Sequence, residues 1–246
     1  MSKVLLYLRK GIVPVLAVVS AGVLFTSCLK NKNEDNIPAA ALMAFNLAPD
    51  QQSVVVALSG SSVTYNPLAY TNYTGTYQRI YPGTRAVESY DYPENSPLAS
   101  VSQNFEQDKY YSVFVVGNNN KYRNVVALDN FDSLSASSGN AYVRYINAIT
   151  DSVNTPTVTI AAGGNNVVNE NAAYAGVSEF KAITPGQISI VAKNGGAVDA
   201  NRTITLEAKK AYTILLTGVP GATEEDKKVQ IKFILNGTLT DEPANK

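Results

Sequence analysis

Residues 54–63, Val-Val-Val-Ala-Leu-Ser-Gly-Ser-Ser-Val, are matched about 100 positions later by residues 158–167, Val-Thr-Ile-Ala-Ala-Gly-Gly-Asn-Asn-Val. The similarity continues downstream, where residues 106–117 align with residues 207–218 at a slightly different offset. Insertions and deletions in loops produce such small changes of offset. The 246-residue chain is therefore predicted to contain two copies of one domain.

Both copies carry the hydrophobic pattern of β-strands. In residues 229–235, apolar side chains occupy every second position, which is the period of a strand with one buried face. Residues 112–116 and 212–216 are almost continuously apolar, as in strands of a sandwich core. No segment of helical length shows a convincing 3.6-residue period. The pattern predicts an all-β chain with two tandem immunoglobulin-like antiparallel β-sandwich domains.

Composition changes along the chain predict its organisation. The predicted segments are a lipoprotein signal peptide at 1–27, a flexible tether at 28–40, the first sandwich at 41–130, a polar linker at 131–140, the second sandwich at 141–237 and a flexible tail at 238–246. Because the linker is short, we expect the two sandwiches to touch end to end or side by side.

The N-terminal segment has the features of a bacterial lipoprotein signal. Three basic residues, Lys3, Arg9 and Lys10, precede an uncharged, mainly apolar run at 11–25, which is too short to span a membrane as a helix. The run ends in Leu-Phe-Thr-Ser-Cys, which resembles a lipobox and places the only cysteine, Cys28, at the lipidation position. The alternative is an ordinary signal peptide with a cysteine there by chance.

A lipidated Cys28 would carry a thioether-linked diacylglyceryl group and an amide-linked acyl chain such as palmitate, which together anchor stably. Leu29 follows the cysteine, where an aspartate would favour retention in the inner membrane. Residues 34–35, Glu-Asp, faintly resemble an acidic surface-export signal. We expect a protein anchored by lipid in the outer membrane, at the cell surface in preference to the periplasmic face.

The second copy resembles a known family. Residues 142–148, Tyr-Val-Arg-Tyr-Ile-Asn-Ala, resemble its V-R-x-x-[HN]-A opening. The turn at 184–186 and the strand start at 206–214 resemble its P-A-G and A-G-K-x-Y-T patterns. This family is the bacterial domain of unknown function 4397, and the resemblance covers both copies. It implies an extracytoplasmic β-sandwich, often in tandem, and supplies no activity or site residues.

Several classes of function are disfavoured by composition. The chain has no histidine and one cysteine, so it lacks Ser-His and Cys-His pairs, His metal ligands and CxxC sites. Its 20 basic and 20 acidic residues give no reason to expect nucleic-acid binding. No calcium loop or phosphate-binding loop is present. We therefore predict a protein that is not an enzyme and needs no metal or cofactor, although a glycosidase carboxylate pair would leave no sequence motif.

Four tyrosines of the first copy are candidate ligand-binding residues. They are Tyr65, Tyr81, Tyr90 and Tyr92, and they align with Asn169, Thr184, Lys193 and Gly195 of the second copy. Aromatic side chains at positions that also accept polar or small residues are expected to be exposed, on one contiguous patch. Exposed rings suit stacking on sugars or a protein interface. The alternative is that they reflect only the preference of tyrosine for strands.

Other tyrosines recur in both copies and are predicted to serve the fold. These pairs are Tyr70 with Tyr174, and Tyr111 with Tyr212. We expect them to bury their rings in the core or at a corner, with the hydroxyl hydrogen-bonded.

Two Asp-Ser pairs in predicted loops are candidate modification sites. The sequences Asp132-Ser133-Leu134 and Asp151-Ser152-Val153 resemble the O-glycosylation sequon of some Gram-negative bacteria, with Ser133 and Ser152 as acceptors. The alternative is that each aspartate and serine simply stabilises a turn.

These observations favour a non-catalytic, lipid-anchored binding or adhesion module of the cell envelope. It would recognise a glycan or a surface protein through the tyrosine-rich first copy. The alternative is a structural spacer or an assembly component of an outer-membrane complex. An unrecognised hydrolase would require a deep pocket with two facing carboxylates.

Overall fold

The computed structural model describes residues 37–150 and 154–240, and these residues are almost entirely β. They contain no α-helix, so no helix in the described ranges is long and apolar enough to cross a membrane. Cys28, Ser152 and the predicted signal peptide lie outside the described residues. The prediction of an all-β fold is confirmed.

The first copy contributes nine strands. They are β1 (Ala40–Asn46), β2 (Ser53–Leu58), β3 (Ser61–Ser62), β4 (Leu68–Ala69), β5 (Gln78–Ile80), β6 (Gly83–Asp91), β7 (Pro97–Phe105), β8 (Tyr110–Asn118) and β9 (Lys121–Leu128). The order β5-β1-β8-β9 forms one sheet, which we call inner sheet 1. The order β3-β2-β6-β7, with β4 also paired to β2, forms outer sheet 1.

The second copy repeats this arrangement with eight strands. They are β10 (Ala141–Ile149), β11 (Thr157–Ala162), β12 (Asn165–Asn171), β13 (Lys181–Ile183), β14 (Gly186–Lys193), β15 (Asp199–Leu206), β16 (Lys210–Gly218) and β17 (Gln230–Thr238). Inner sheet 2 has the order β13-β10-β16-β17, and outer sheet 2 has the order β12-β11-β14-β15. Two short 3₁₀ turns, Phe131–Ser133 and Ala136–Ser138, lie in the linker.

One pairing in each copy departs from the antiparallel sheets that the sequence predicts. Strand β1 runs parallel to β8, and β10 runs parallel to β16, whereas the other strand pairs are antiparallel. A parallel pair needs a long crossover connection. The segments between β1 and β8, and between β10 and β16, supply it by passing through the outer sheet, and each also adds one short strand, β5 or β13, to the inner sheet.

Three hydrophobic clusters hold the described chain together. Two of them fill the sandwiches between inner and outer sheets. The third lies between inner sheets 1 and 2, and includes Met43, Phe45 and Phe114 from the first copy and Ile146 and Leu215 from the second. Of the two arrangements that the short linker led us to expect, the sandwiches therefore contact each other side by side, through the faces of their inner sheets, and not end to end.

This packing explains the continuous apolar runs in β8 and β16. Along β8, Val113 and Val115 point into the first sandwich, while Phe114 points towards the second. A strand buried on both faces carries apolar residues at successive positions, whereas a strand with one solvent-exposed face alternates apolar and polar residues. Both inner sheets are therefore central layers of a four-layer stack.

A buried ion pair crosses the interface between the sandwiches. Nη2 of Arg144, on β10, lies 2.5 Å from Asp129 Oδ1. This is a contact between opposite charges that lacks good hydrogen-bond geometry. Arg144 also donates to Thr213 Oγ1 and Ser112 Oγ, at 2.9 and 3.0 Å. Its guanidinium carbon lies 4.5 Å from the ring centroid of Phe180. These contacts fix the position of a cation that is almost wholly removed from solvent.

The carboxylate of Asp129 is surrounded by donors as well. Ser112 donates to Asp129 Oδ2 at 2.7 Å, and the Tyr77 hydroxyl donates to the same oxygen. Burial, together with the negative charge of Asp129, raises the pKa of Tyr77 well above its usual value. Asn236 of the second sandwich donates to the Tyr77 hydroxyl at 3.3 Å, so the network includes both copies.

Candidate functional site

Three of the four candidate tyrosines are clearly exposed. The relative exposure is 101% for Tyr65, 65% for Tyr81 and 53% for Tyr92. Tyr90 is half-buried. The expectation of exposure is therefore met fully for three residues and partly for Tyr90.

Tyr90 and Tyr92 lie at the C-terminal end of β6. Tyr90 pairs with Val55, and because the neighbours Val54 and Val56 point into the core, Tyr90 lies on the outer face of the sheet. Partial desolvation and the adjacent Glu88 carboxylate raise the pKa of Tyr90. Just beyond the strand, the backbone N–H of Tyr92 donates to the Ser53 carbonyl at 3.1 Å, which holds it beside the start of β2.

Tyr65 lies on the other side of β2, in the segment between β3 and β4. The preceding residue, Thr64, accepts a hydrogen bond from the Val56 N–H at 3.3 Å. After Tyr65 the chain returns to the sheet where Leu68 pairs with Val54. Tyr65, Tyr90 and Tyr92 thus border the same stretch of β2, and we call these three residues the tyrosine surface.

Tyr81 does not join them. It precedes the first residue of β6, Gly83, whereas Tyr92 follows the last, Asp91. A nine-residue strand is about 30 Å long, so Tyr81 and Tyr92 lie at opposite ends of outer sheet 1. The expectation of one contiguous patch of four tyrosines is therefore wrong for Tyr81.

The recurring tyrosines divide into two groups. Tyr111 and Tyr212 are buried, and their hydroxyls accept hydrogen bonds from the backbone N–H groups of Glu106 and Glu207 at 2.9 and 3.1 Å. These two have the predicted core or corner role. Tyr70 and Tyr174, in contrast, are half-buried and lie near the edge of the contact between the sandwiches.

Ser133 is exposed, and its hydroxyl donates to the carbonyl of Asn130 at 2.7 Å within the first 3₁₀ turn. Asp132 beside it pairs with Lys109. These contacts stabilise a turn, which is the alternative to modification. Because Ser133 is exposed, its O-glycosylation remains a prediction.

Sequence reasoning missed a cleft at the junction of the two sandwiches. Its volume is about 460 Å³. It is lined on the first sandwich by Pro49, Asp50, Gln51, Gln52, Ala69, Tyr70 and Thr71, and on the second by Asp226, Lys227, Gln230 and Lys232. We call it the junction cleft. No sequence signal could have revealed it, because its walls come from two copies and follow no motif.

The electrostatics of the junction cleft are mixed. Desolvation and the positive charge of Arg202 lower the pKa of Lys232, whose Nζ donates to Thr71 Oγ1 at 2.6 Å. Burial raises the pKa of Tyr70, and the negative charge of Asp226 raises it further. The nearby Thr217 hydroxyl acts in the opposite direction and lowers it. The buried hydroxyls of Tyr70 and Thr217 form no hydrogen bond of good geometry with the described residues.

Within residues 37–150 and 154–240, no group of three acidic or cysteine side chains is placed to hold a metal ion. The candidate sites that the described residues form are a solvent-facing tyrosine surface and a polar cleft.

A family model matches the chain twice. The family is DUF4397, a domain of unknown function, and the matches cover residues 40–154 and 141–246. No curated protein matches the chain.

Several solved structures are similar to this chain at low sequence identity. A provisionally assigned cell adhesion protein from Parabacteroides distasonis is 8% identical, with 81% of this chain and all of that chain covered, at a TM-score of 0.25. A family 26 carbohydrate-binding module of Amy13K from Eubacterium rectale, in complex with maltoheptaose, is 10% identical, with coverage of 82% and 98% and a TM-score of 0.25. The tip fimbrial protein Mfa3 from Porphyromonas gingivalis is 10% identical, with coverage of 81% and 99% and the same TM-score. TM-scores of this size carry no argument about function.

Proposed function

The chain belongs to the DUF4397 family, in two tandem copies, and we propose that it is a non-catalytic, lipid-anchored binding or adhesion module of the cell envelope. The tyrosine surface of the first sandwich is the proposed contact for a glycan or a surface protein. The observation that carries this proposal is the complete exposure of Tyr65, with Tyr92 exposed by more than half beside the same strand.

The fold does not require aromatic residues at these positions. The second sandwich has Asn169, Lys193 and Gly195 where the first has Tyr65, Tyr90 and Tyr92. A tyrosine ring in water leaves a large apolar area unburied, whereas in a complex it supplies contact area with few torsions to order. Binding therefore accounts for these rings better than stability does.

The chemistry of the tyrosine surface suits a hydroxylated or mixed polar partner. Each ring offers a flat apolar face together with a hydroxyl that donates and accepts. The carboxylate of Glu88, beside Tyr90 on the outer face, adds an acceptor. Sugar rings have apolar faces edged with hydroxyl groups, and so do not need a deep pocket to be bound on such a surface.

We expect the double variant Tyr65→Ala with Tyr92→Ala to lose binding to its glycan or surface-protein partner by at least about tenfold, because two aromatic contacts of roughly 1 kcal/mol each are removed. Binding of the lipid-free chain, residues 29–246, to a glycan array and to intact bacterial cells measures this. Tyr81→Ala is the matched control, since Tyr81 is exposed but lies at the other end of outer sheet 1. Equal binding by the double variant and the wild type would refute the role of the tyrosine surface.

Membrane attachment is proposed to depend on Cys28. We expect Cys28→Ala to abolish incorporation of an alkyne-labelled palmitate and to release the protein from the membrane fraction, because the thiol is the only site for the thioether-linked lipid. Ser27→Ala, which keeps a small residue before the cysteine, is the control. Continued labelling of the Cys28→Ala variant would contradict lipidation at this residue.

A structural role is the second candidate function. The observation in its favour is the hydrophobic cluster between the inner sheets, which makes the two sandwiches one compact unit instead of two modules on a flexible linker. Such a unit would suit a spacer in an outer-membrane complex. It predicts co-purification with envelope proteins that the tyrosine variants leave unchanged.

A further inference from the structure

The two copies differ at a pair of equivalent positions beside the junction cleft. On β9, Arg123 pairs with Val116 of β8, and on β17, Gln230 pairs with Thr217 of β16. Val116 and Thr217 are equivalent in the internal repeat. Gln230 therefore occupies the place in the second sandwich that Arg123 occupies in the first.

The consequence is seen at the two equivalent tyrosines, Tyr174 and Tyr70. The guanidinium carbon of Arg123 lies 5.3 Å from the ring centroid of Tyr174, which it covers. At Tyr70 the corresponding side chain is the shorter Gln230, whose amide donates to the backbone carbonyl of Asp226 at 2.9 Å. Tyr70 and Gln230 both line the cleft, whose volume of about 460 Å³ is within the range of small-molecule sites.

The charges of the junction cleft disfavour an ionic ligand. Asp50 and Asp226 face the same space as Lys227 and Lys232, so a simple anion or cation would meet a like charge as well as an opposite one. A neutral molecule rich in hydroxyl groups can donate to the carboxylates and accept from the amides and ammonium groups. Carbohydrates have this character.

Hydrogen bonds hold one wall of the junction cleft in place, while other polar groups of the lining are available to bind a ligand. Asp50 Oδ2 accepts from the Asn119 N–H at 2.6 Å and from the Tyr122 hydroxyl at 2.7 Å, which fixes one wall. The amide of Gln52 and the carboxylate of Asp226 form no hydrogen bond with other described side chains, so both can pair with a ligand. Preorganised walls with a few available polar groups are typical of a small-molecule site.

We propose that the junction cleft binds a neutral carbohydrate, one or two sugar units of an oligosaccharide, between the two sandwiches. Gln52 and Asp226 pair with its hydroxyl groups, and Gln230 keeps the cleft open. This site is separate from the tyrosine surface and uses residues of both copies, so it exists only in the tandem.

The test uses the lipid-free chain, residues 29–246, and titration calorimetry with hexasaccharides of the cello-, malto-, xylo-, manno- and chito- series. Heparin and polyphosphate serve as charged comparators. We expect saturable binding of at least one hexasaccharide. Gln230→Arg should weaken it at least about tenfold, because the arginine covers Tyr70 as Arg123 covers Tyr174. Gln52→Ala combined with Asp226→Ala should weaken it about as much.

Two control variants test whether the loss of binding is specific to the junction cleft. Gln187→Arg adds the same charge at an exposed position of β14, in outer sheet 2, and should leave binding unchanged. The double variant Tyr65→Ala with Tyr92→Ala should also keep cleft binding, so failure of the tyrosine surface and failure of the cleft give different results. Absence of binding to every hexasaccharide at about 10 mM, binding of the charged comparators alone, or unchanged affinity in Gln230→Arg would each overturn the proposal.

Discussion

Replacing Arg144 with methionine is expected to lower the free energy of unfolding by about 3–5 kcal/mol, because Asp129 then stays buried without its cation. The side chains of Arg144 and Asp129 are 2% and 0% exposed. Thr213 and Ser112 would also lose the donors that they now receive from the guanidinium. Urea unfolding followed by circular dichroism and tyrosine fluorescence measures this, since the chain has no tryptophan.

The internal repeat supplies the matched control for this variant. The strand register places Met43 of the first copy at the position of Arg144, and Asn236 of the second copy at the position of Asp129. The double variant Arg144→Met with Asp129→Asn replaces the ion pair with these natural neutral residues. We expect it to recover most of the lost stability, since a neutral, packed substitute for a buried pair is often tolerated. A loss as large as the sum of the two single variants would contradict direct coupling.

This ion pair also favours the pairing of unlike inner sheets. If two copies of the second sandwich packed together by this face, they would bury two arginines with no carboxylate between them. Two copies of the first would bury two aspartates without a cation. Unpaired buried charges are strongly unfavourable. The difference between the copies at Arg144 and Asp129 therefore directs the first sandwich to the second.

Phe45→Ala is expected to lower the free energy of unfolding by about 3–5 kcal/mol, through loss of apolar contact and the cavity left behind. Phe45 is fully buried between the inner sheets, with its ring centroid 4.7 Å from that of Phe114 and 5.3 Å from that of Tyr73. Because the cavity lies between the sandwiches, we also expect faster hydrogen exchange in the inner sheet of each.

Phe105→Ala is the matched control for this variant. Phe105 is buried as deeply, but it belongs to the cluster inside the first sandwich. A similar loss of stability is expected, with faster exchange in the first sandwich while strands β10 and β16 stay protected. If Phe45→Ala also left β10 and β16 protected, the inner sheets would not be stabilising each other.

The fold could be predicted from sequence because its determinants are local and repeated. The strand period in residues 229–235 and the matched segments at 54–63 and 158–167 are visible without a structure. The contact between the sandwiches is harder to predict from the sequence. The runs at 112–116 and 212–216 have the pattern of ordinary core strands, but continuous apolar character also indicates burial on two faces, and sequence alone does not say against what.

Residue roles that depend on two distant segments could not be predicted. Arg144 belongs to the opening motif of the second copy, but its partner Asp129 follows the last strand of the first, and no pattern links them. The junction cleft was missed for the same reason. The tyrosine candidates were found because they differ between copies, but only the strand register shows that Tyr81 and Tyr92 lie at opposite ends of β6.

The most direct test of the proposed function is whether the sandwiches face the medium outside the cell. Intact cells are labelled with an antibody against the second sandwich and treated with protease, with a periplasmic protein as the protected control. We predict labelling of intact cells and loss of the protein while the control survives, because a binding surface for external glycans or proteins must be exposed. Labelling only after the outer membrane is opened would contradict this account and favour the structural role.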